Sequence, residues 1–317
     1  MLETGNRNEI ETFYHTIKNE PEISINIKIR LVQYCTNMWN HFPHKHSEKP
    51  VIVLSSIRKI LLGKKQESEF ISRQQKDRVL FHEKQYLKLY SLLCDDRSKK
   101  TLIRVLKYRV TGDYNILHAE SDFTFNQYFD KKIIDMPDSD VFVDCGSFIG
   151  DTTERFITRF PNFSKIYLYE PEPDNYAQAY NYLSKWENTS FEKIVFRRAG
   201  VGKERKSLKI NSNGAGSFVS SFGDNDVDIV SLDKDIKEPV SFIKMDIEGF
   251  ELDALEGSKN HIINEKPILA ICVYHKIDDL WVIPEYILKL NPLYKLYLRQ
   301  YIEGDGNNPW ETVLYAK

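Results

Sequence analysis

A chain of 317 residues with 44 Lys and Arg against 46 Asp and Glu, a formal net charge of −2, has room for one or two domains and a large core. The charge balance gives no broad reason to bind nucleic acid or anionic lipid, and 13% aromatic residues exclude a disordered chain. No apolar run approaches the ~20 residues of a membrane helix, so no membrane insertion is expected.

In chain order, residues 1–120 read as a helical region and residues 121–317 as an α/β domain. Met1 to Asn19 is polar and lacks the apolar core of a signal peptide. His41, His44 and His46 form H-x-x-H-x-H beside Pro43 and several lysines. With no acid or cysteine nearby except Glu48, this reads as a solvated loop and not a metal site. Lys64-Lys65 reads as wet surface, and Val51 to Leu62 fits either a helix or a strand. Leu87, Leu89, Tyr90, Leu92 and Leu93, then Leu102, Val105, Leu106 and Arg109, recur at helical spacing. Asp95-Asp96-Arg97-Ser98 supplies turn and cap chemistry between them, and Thr111-Gly112-Asp113 ends the region. The cysteines, at 35, 94, 145 and 272, have no metal-ligand or C-x-x-C spacing and point to reduced thiols in a cytoplasmic protein.

From residue 140 strands alternate with helices. Val141 to Thr153 (VFVDCGSFIGDTT) reads as a strand, a glycine turn and a helix start, the first βα unit of a nucleotide-binding fold. Its glycines let the backbone approach a ligand closely. A dinucleotide fingerprint would be G-x-G-x-x-G. Here the pattern is D-x-G-x-x-x-G, through Asp144, Gly146 and Gly150, which favours S-adenosylmethionine over NAD. A second strand, Lys165 to Tyr169, ends at Glu170-Pro171-Glu172-Pro173. Asp174 is placed to cap a helix with Tyr176, Ala179, Tyr180 and Leu183 on one face. Lys193 to Arg198 is a third strand, turning at Ala199-Gly200-Val201-Gly202. Ser207 to Ile210 and Val227 to Leu232 are extra strands, with a mobile Gly214 to Ser217 between them. Val240 to Met245 leads to Asp246-Ile247-Glu248-Gly249 and a helix to about Asn264. Pro267 to Tyr274 is apolar enough for burial on both faces and ends at His275. A helix over Asp279 to Leu290 and closing strands at Tyr294 to Tyr301 and Thr312 to Tyr315 complete a mostly parallel sheet covered on both faces.

Ligands of such sheets bind outside the carboxyl ends of the strands. Glu170 follows Asp144 at roughly the offset of ~20 residues at which an acid holds ribose hydroxyls. Asp246 and Glu248, sharing the alternation of Lys244, suit a pocket that orients an acceptor or a divalent cation. A plain acidic cap on the following helix is the simpler reading for Glu248. His275 is the natural general base, half protonated near pH ~6.5 when unperturbed.

Together, VFVDCGSFIGDTTERF, YLYEPEPDNY, RRAGVG, VSLD, FIKMDIEGFELDALEG, ILAICVYHKIDDL and ETVLYA resemble the FkbM family of S-adenosylmethionine-dependent methyltransferases. The resemblance runs from about residue 120 to the C-terminus. Upstream, LLCDDRSKKTLIRVLKYRVTGDY resembles the helical lead-in of some members. It implies a class I methyltransferase fold, a doubly wound and mostly parallel seven-stranded sheet whose last strand is antiparallel. It also implies O-methylation of a hydroxyl on a sugar, glycan or natural product. Asp144, Gly146 and Gly150, with Asp151 and Thr152 beside them, would then form the cofactor loop. Glu170 would hold the ribose, with Pro171, Asn175 and Ala199 in the adjoining motifs. The catalytic candidates are His275 as base, Asp246 orienting it or the acceptor, and Glu248 and Lys244 beside them. A metal at Asp246 and Glu248 is the less favoured route to an activated hydroxyl. An NAD-dependent sugar dehydrogenase fits less well, because G-x-G-x-x-G is missing, and a non-catalytic scaffold fits poorly with intact strand ends. The expected partner is a small-molecule or glycan acceptor, with the N-terminal helices shaping acceptor choice or a homodimer contact.

Overall fold

A computed structural model describes residues 3–19, 75–118, 122–123, 127–134, 140–185, 191–211, 218–219, 225–302 and 311–317. The three histidines at 41, 44 and 46, Lys64-Lys65, Val51 to Leu62 and Gly214 to Ser217 lie outside the described residues. Two compact units are present, Met1–Ser91 with Lys99–Ala119, and Leu92–Ser98 with Glu120–Lys317.

The first unit is helical. Helix α1 (Glu3–Asn19) buries Ile10, Phe13, Tyr14 and Ile17, an i, i+3, i+4, i+7 stripe. Its Tyr14 hydroxyl donates to the Val79 carbonyl at 3.4 Å, and Lys18 pairs with Glu83 at 2.7 Å. In α2 (Glu83–Leu92) the buried positions are Tyr86, Leu89 and Tyr90, whereas Leu92 is exposed. The stripe therefore begins at Tyr86, one residue before Leu87. Helix α3 (Asp96–Thr111) starts under a cap, the Asp95 carboxylate accepting from the Ser98 N–H at 2.7 Å. It buries Leu102, Val105, Leu106 and Val110, and α4 (Asn115–His118) follows. No described helix is long and apolar enough to cross a membrane.

The second unit carries the sheet. Its elements are β1 (Asp122–Phe123), β2 (Val141–Cys145), α5 (Asp151–Arg159), β3 (Lys165–Tyr169), α6 (Pro173–Ser184), β4 (Ile194–Arg197), β5 (Gly200–Val201), β6 (Lys206–Asn211), β7 (Phe218–Val219), β8 (Asn225–Val230), α7 (Leu232–Asp235), β9 (Phe242–Met245), α8 (Glu251–Glu256), α9 (Lys259–Asn264), β10 (Ile268–Cys272), α10 (Asp279–Leu290), β11 (Leu296–Ile302) and β12 (Thr312–Ala316). The main sheet runs β1-β11-β12-β10-β9-β2-β3-β4, with β12 antiparallel to both neighbours and every other pairing parallel. These are the seven strands of the expected sheet, and the two-residue β1 adds an eighth at its edge. A smaller sheet, β5-β8-β6-β7, takes up the extra strands and makes a short strand of the predicted turn at Gly200-Val201.

Strand order explains burial. The parallel strands contribute Phe142, Ile166, Leu168, Phe242, Ile243, Leu269 and Ile271, all fully buried. Phe142 stacks on Phe156 of α5 at 4.2 Å between centroids. Two local expectations change. Helix α6 is capped by Glu172, whose carboxylate accepts from the Asn175 N–H at 2.7 Å, and not by Asp174, because Pro173 already occupies the first helical position. The helix after β9 is two short ones, broken at Gly257-Ser258.

Within this unit Leu92–Ser98 is more than a connector. Arg299 of β11 is 1% exposed, donating to Asp95 at 2.6 Å, to Asp130 at 2.8 Å and to the Ser98 hydroxyl at 2.8 Å. The chain leaves β2 towards β3 on one side and returns to β9 on the other, so the crevice for a ligand opens at the carboxyl ends of β2 and β9.

Candidate active site

The glycine turn after β2 is built from below. Asp144 is fully buried, with Lys244 Nζ 3.0 Å from one oxygen and the Thr153 hydroxyl donating to the other at 2.8 Å. Lys244, itself 2% exposed, also donates to the Gly146 carbonyl at 2.6 Å and lies 5.1 Å from the centre of the Tyr128 ring. Burial alone would strip its proton, but Asp144 and then Asp246 hold its pKa above the ordinary lysine value. This corrects two expectations. Asp144 does not face a ligand, and Lys244 is a fixed cation that ties the turn to β9, with no free lone pair for catalysis.

Gly146 is needed for a different reason than predicted. Its φ is +79°, and a Cβ placed there would fall 1.9 Å from the Asp246 carbonyl oxygen. The turn thus packs on the end of β9. At Gly150, φ +87°, a Cβ would crowd Leu183 of α6 at 3.0 Å. Asp151 and Thr152 open α5, where both bond the Arg155 guanidinium, at 3.1 and 3.0 Å.

Glu170 stands at the carboxyl end of β3. One oxygen accepts from the Phe148 N–H and the other from the Glu172 N–H, each at 2.9 Å. Burial pushes its pKa up to about 7 against these bonds, the charge of Lys244 and the side chain of Asn175. Phe148, Glu172 and Asn175 occupy three of its roughly four acceptor positions, so the carboxylate is firmly oriented and keeps about one position for a further hydroxyl. Nearby, the Ser147 hydroxyl is buried without a hydrogen-bond partner among the described residues. Ala199 is buried, its N–H donating to the Arg197 carbonyl at 2.9 Å, and Pro171 packs beside Gly200.

The second cluster forms where β9 and β10 end side by side. Asp246 accepts from the Tyr128 hydroxyl at 2.7 Å and the Tyr274 hydroxyl at 3.0 Å. Burial would raise its pKa, but Lys244, His275 and these hydroxyls hold it below the usual carboxylate value. His275 Nε2 lies 3.3 Å from Asp246 Oδ1 and 3.7 Å from Glu248 Oε2, while Nδ1 lies 2.9 Å from Glu251 Oε1. Glu251 is fully buried and fixed by the Ile247 N–H at 3.0 Å. Burial alone would lower the pKa of His275; Glu251, Asp246 and Glu248 instead lift it to about 9. The surrounding acids therefore favour the protonated ring beyond the half-protonation expected near neutrality. Glu248 is the exposed member, and burial with the neighbouring acids raises its pKa despite His275.

The structure brings His275, Asp246 and Glu248 together as predicted from their strand ends. It adds Tyr128, Tyr274 and Glu251, which were not predicted. Tyr274 and Glu251 sit inside the motifs already singled out, at Y-H and D-I-E-G-F-E. Tyr128 has no sequence signal, because it reaches Asp246 across 118 residues, with a left-handed backbone at φ 68°.

Comparison with known proteins bears on this arrangement. Residues 144–294 match the methyltransferase FkbM domain. Among solved structures, methyltransferase FkbM from Methylobacillus flagellatus KT is similar at 25% identity and a TM-score of 0.70, over 97% of this chain and 77% of that one. An rRNA methylase from Streptococcus thermophilus aligns at 16% identity and a TM-score of 0.37, over 59% of this chain and 89% of its own. Aeropyrum pernix fibrillarin, solved with natively bound S-adenosyl-L-methionine, aligns at 11% identity and 0.37, over 59% and 71%. No curated protein matches the chain.

Proposed function

We propose that this chain, a methyltransferase through the FkbM domain of residues 144–294, transfers the methyl group of S-adenosylmethionine to a hydroxyl of a sugar, glycan or other natural product. The observation that carries the reading is the row of polar groups at one end of the sheet. Glu170 ends β3, the glycine turn ends β2, and Asp246 and His275 end β9 and β10, four strands that are neighbours in that order. At ~4.8 Å per strand, Glu170 and Asp246 stand ~10 Å apart across the crevice, which separates a donor side from an acceptor side.

The residues fit the donor. Glu170 offers its remaining acceptor position to a ribose hydroxyl, and the Ser147 hydroxyl, unpartnered among the described residues, is free to bond a second polar group of the donor. Lys244 and Asp144 hold the turn rigid beneath it. Asn175 steadies Glu170, and Pro171 and Ala199 shape the adjoining backbone. Bound here, S-adenosylmethionine supplies a methyl carbon already activated by its sulfonium, so the protein's main task is alignment, worth several kcal/mol of the barrier. On the acceptor side Asp246, locked by two tyrosine hydroxyls, orients the attacking hydroxyl, and Glu248 and His275 flank it.

Calorimetry with S-adenosylmethionine, S-adenosylhomocysteine and NAD tests the donor, and incubation with methyl-labelled donor and hydroxyl-bearing metabolites tests the transfer. Binding of the first two with NAD much weaker, and label fixed to oxygen, is the expected result. NAD bound in preference to S-adenosylmethionine overturns the reading.

A further inference from the structure

We propose that Asp246, Glu248 and His275 form a site for one divalent first-row metal ion, with Glu251 orienting the imidazole from its other edge. The argument begins with spacing. Ligands at right angles on an ion with ~2.1 Å bonds sit ~3.0 Å from each other. Nε2 of His275 lies 3.3 Å from Asp246 Oδ1 and 3.7 Å from Glu248 Oε2, both somewhat longer than that spacing. Asp246, Glu251 and His275 each bring a ligand atom within 4.8 Å of the others, while the exposed Glu248 stands outside that group and reaches an ion only by turning its side chain inward.

Unmet polar demand points the same way independently. The His275 side chain is 9% exposed, yet its Nε2 has no hydrogen-bond partner among the described residues. Nε2 faces the Asp246 and Glu248 carboxylate oxygens at 3.3 and 3.7 Å without bonding to either. Glu251 Oε2, in a fully buried side chain, is also unpartnered among the described residues. Three carboxylates converge on this one imidazole. Lys244 is committed to Asp144 and the turn, and Lys276 donates to the Gly249 carbonyl.

The outer contacts have the form that metal sites use. Nδ1 at 2.9 Å from Glu251 Oε1 is the carboxylate–histidine arrangement that fixes ring orientation and leaves Nε2 to the ion. Tyr128 and Tyr274 fix Asp246 in the same way. One imidazole with two carboxylates suits manganese, iron or zinc better than calcium, which prefers an all-oxygen shell. Only the ion's task rests on the methyl-transfer reading: it would acidify the acceptor hydroxyl as a Lewis acid. Binding itself does not depend on that reading.

The test uses the full chain, stripped by chelator and titrated with Mn²⁺ under electron paramagnetic resonance, without cofactor or acceptor. One Mn²⁺ per chain is expected, with nitrogen coupling from the directly bound ring and displacement by Zn²⁺. Asp246→Asn and His275→Ala should abolish that signal, Glu248→Gln, at an exposed position, should weaken it, and Glu251→Gln should weaken binding by about 10–100-fold. No saturable Mn²⁺ or Zn²⁺ uptake by folded wild-type protein overturns the proposal, as does unchanged uptake in Glu248→Gln and His275→Ala together. Calorimetry with S-adenosylmethionine on the same samples keeps failure of the metal site separate from failure of the methyltransferase reading.

Discussion

Lys244→Met isolates the charge pair on which the cofactor turn rests. The lysine is 2% exposed and Asp144 not exposed at all, so removing the ammonium leaves a buried carboxylate with only the Thr153 hydroxyl as partner. Breaking a buried pair from one side costs ~3–5 kcal/mol. Loss of the bond to the Gly146 carbonyl adds ~1 kcal/mol. The expected destabilisation is therefore ~4–6 kcal/mol, read as a shift of the urea midpoint. Adding Asp144→Asn removes the stranded charge, so the double variant should recover ~2 kcal/mol or more relative to additivity. Cofactor affinity should fall in the single variant, because the turn loses its tether. Were Lys244 instead a catalytic group, Lys244→Met would lower turnover with little change in the midpoint. A cost below ~1 kcal/mol, or strictly additive single and double variants, refutes the reasoning.

Three further outcomes follow from the same contacts. Glu170 is pushed up to about 7 by burial, and its ionised form is the stronger acceptor for a ribose hydroxyl, so donor affinity measured by calorimetry should rise with pH through about 7 and flatten above it. Glu170→Gln should remove that pH dependence and weaken binding by about tenfold or more; a wild-type affinity flat from about pH 5.5 to 8.5 would count against the assignment. Gly146→Ala should cost ~2 kcal/mol or more in thermal unfolding, since its Cβ meets the Asp246 carbonyl at 1.9 Å and φ is +79°. Asp95→Ala should cost ~2 kcal/mol by leaving Arg299 with Asp130 as its remaining acid, and a shift near zero would show the pair to be unimportant. Removing residues 1–110 would delete Asp95 and Ser98 too, so a truncation aimed at the helical unit must keep Leu92–Ser98.

What the amino-acid sequence by itself determined is the local and periodic part. The apolar run before His275 predicted a strand buried on both faces, and the pattern over Asp279 to Leu290 predicted α10 with its observed bounds. The acids and the histidine that punctuate strand ends were legible as site residues, because a parallel sheet delivers every strand's carboxyl end to the same side. Tertiary structure alone decided which of them are paired in the core and which cluster at the strand ends. Asp144 and Lys244 are 100 residues apart in the chain and opposite each other in register between β2 and β9, so their charges cancel in the core. Tyr128 reaches Asp246, and Asp95 reaches Arg299, over comparable separations. Propensity and periodicity act within a few residues, whereas a buried charge takes whatever partner the strand order places beside it, and no window along the chain contains both members of such a pair.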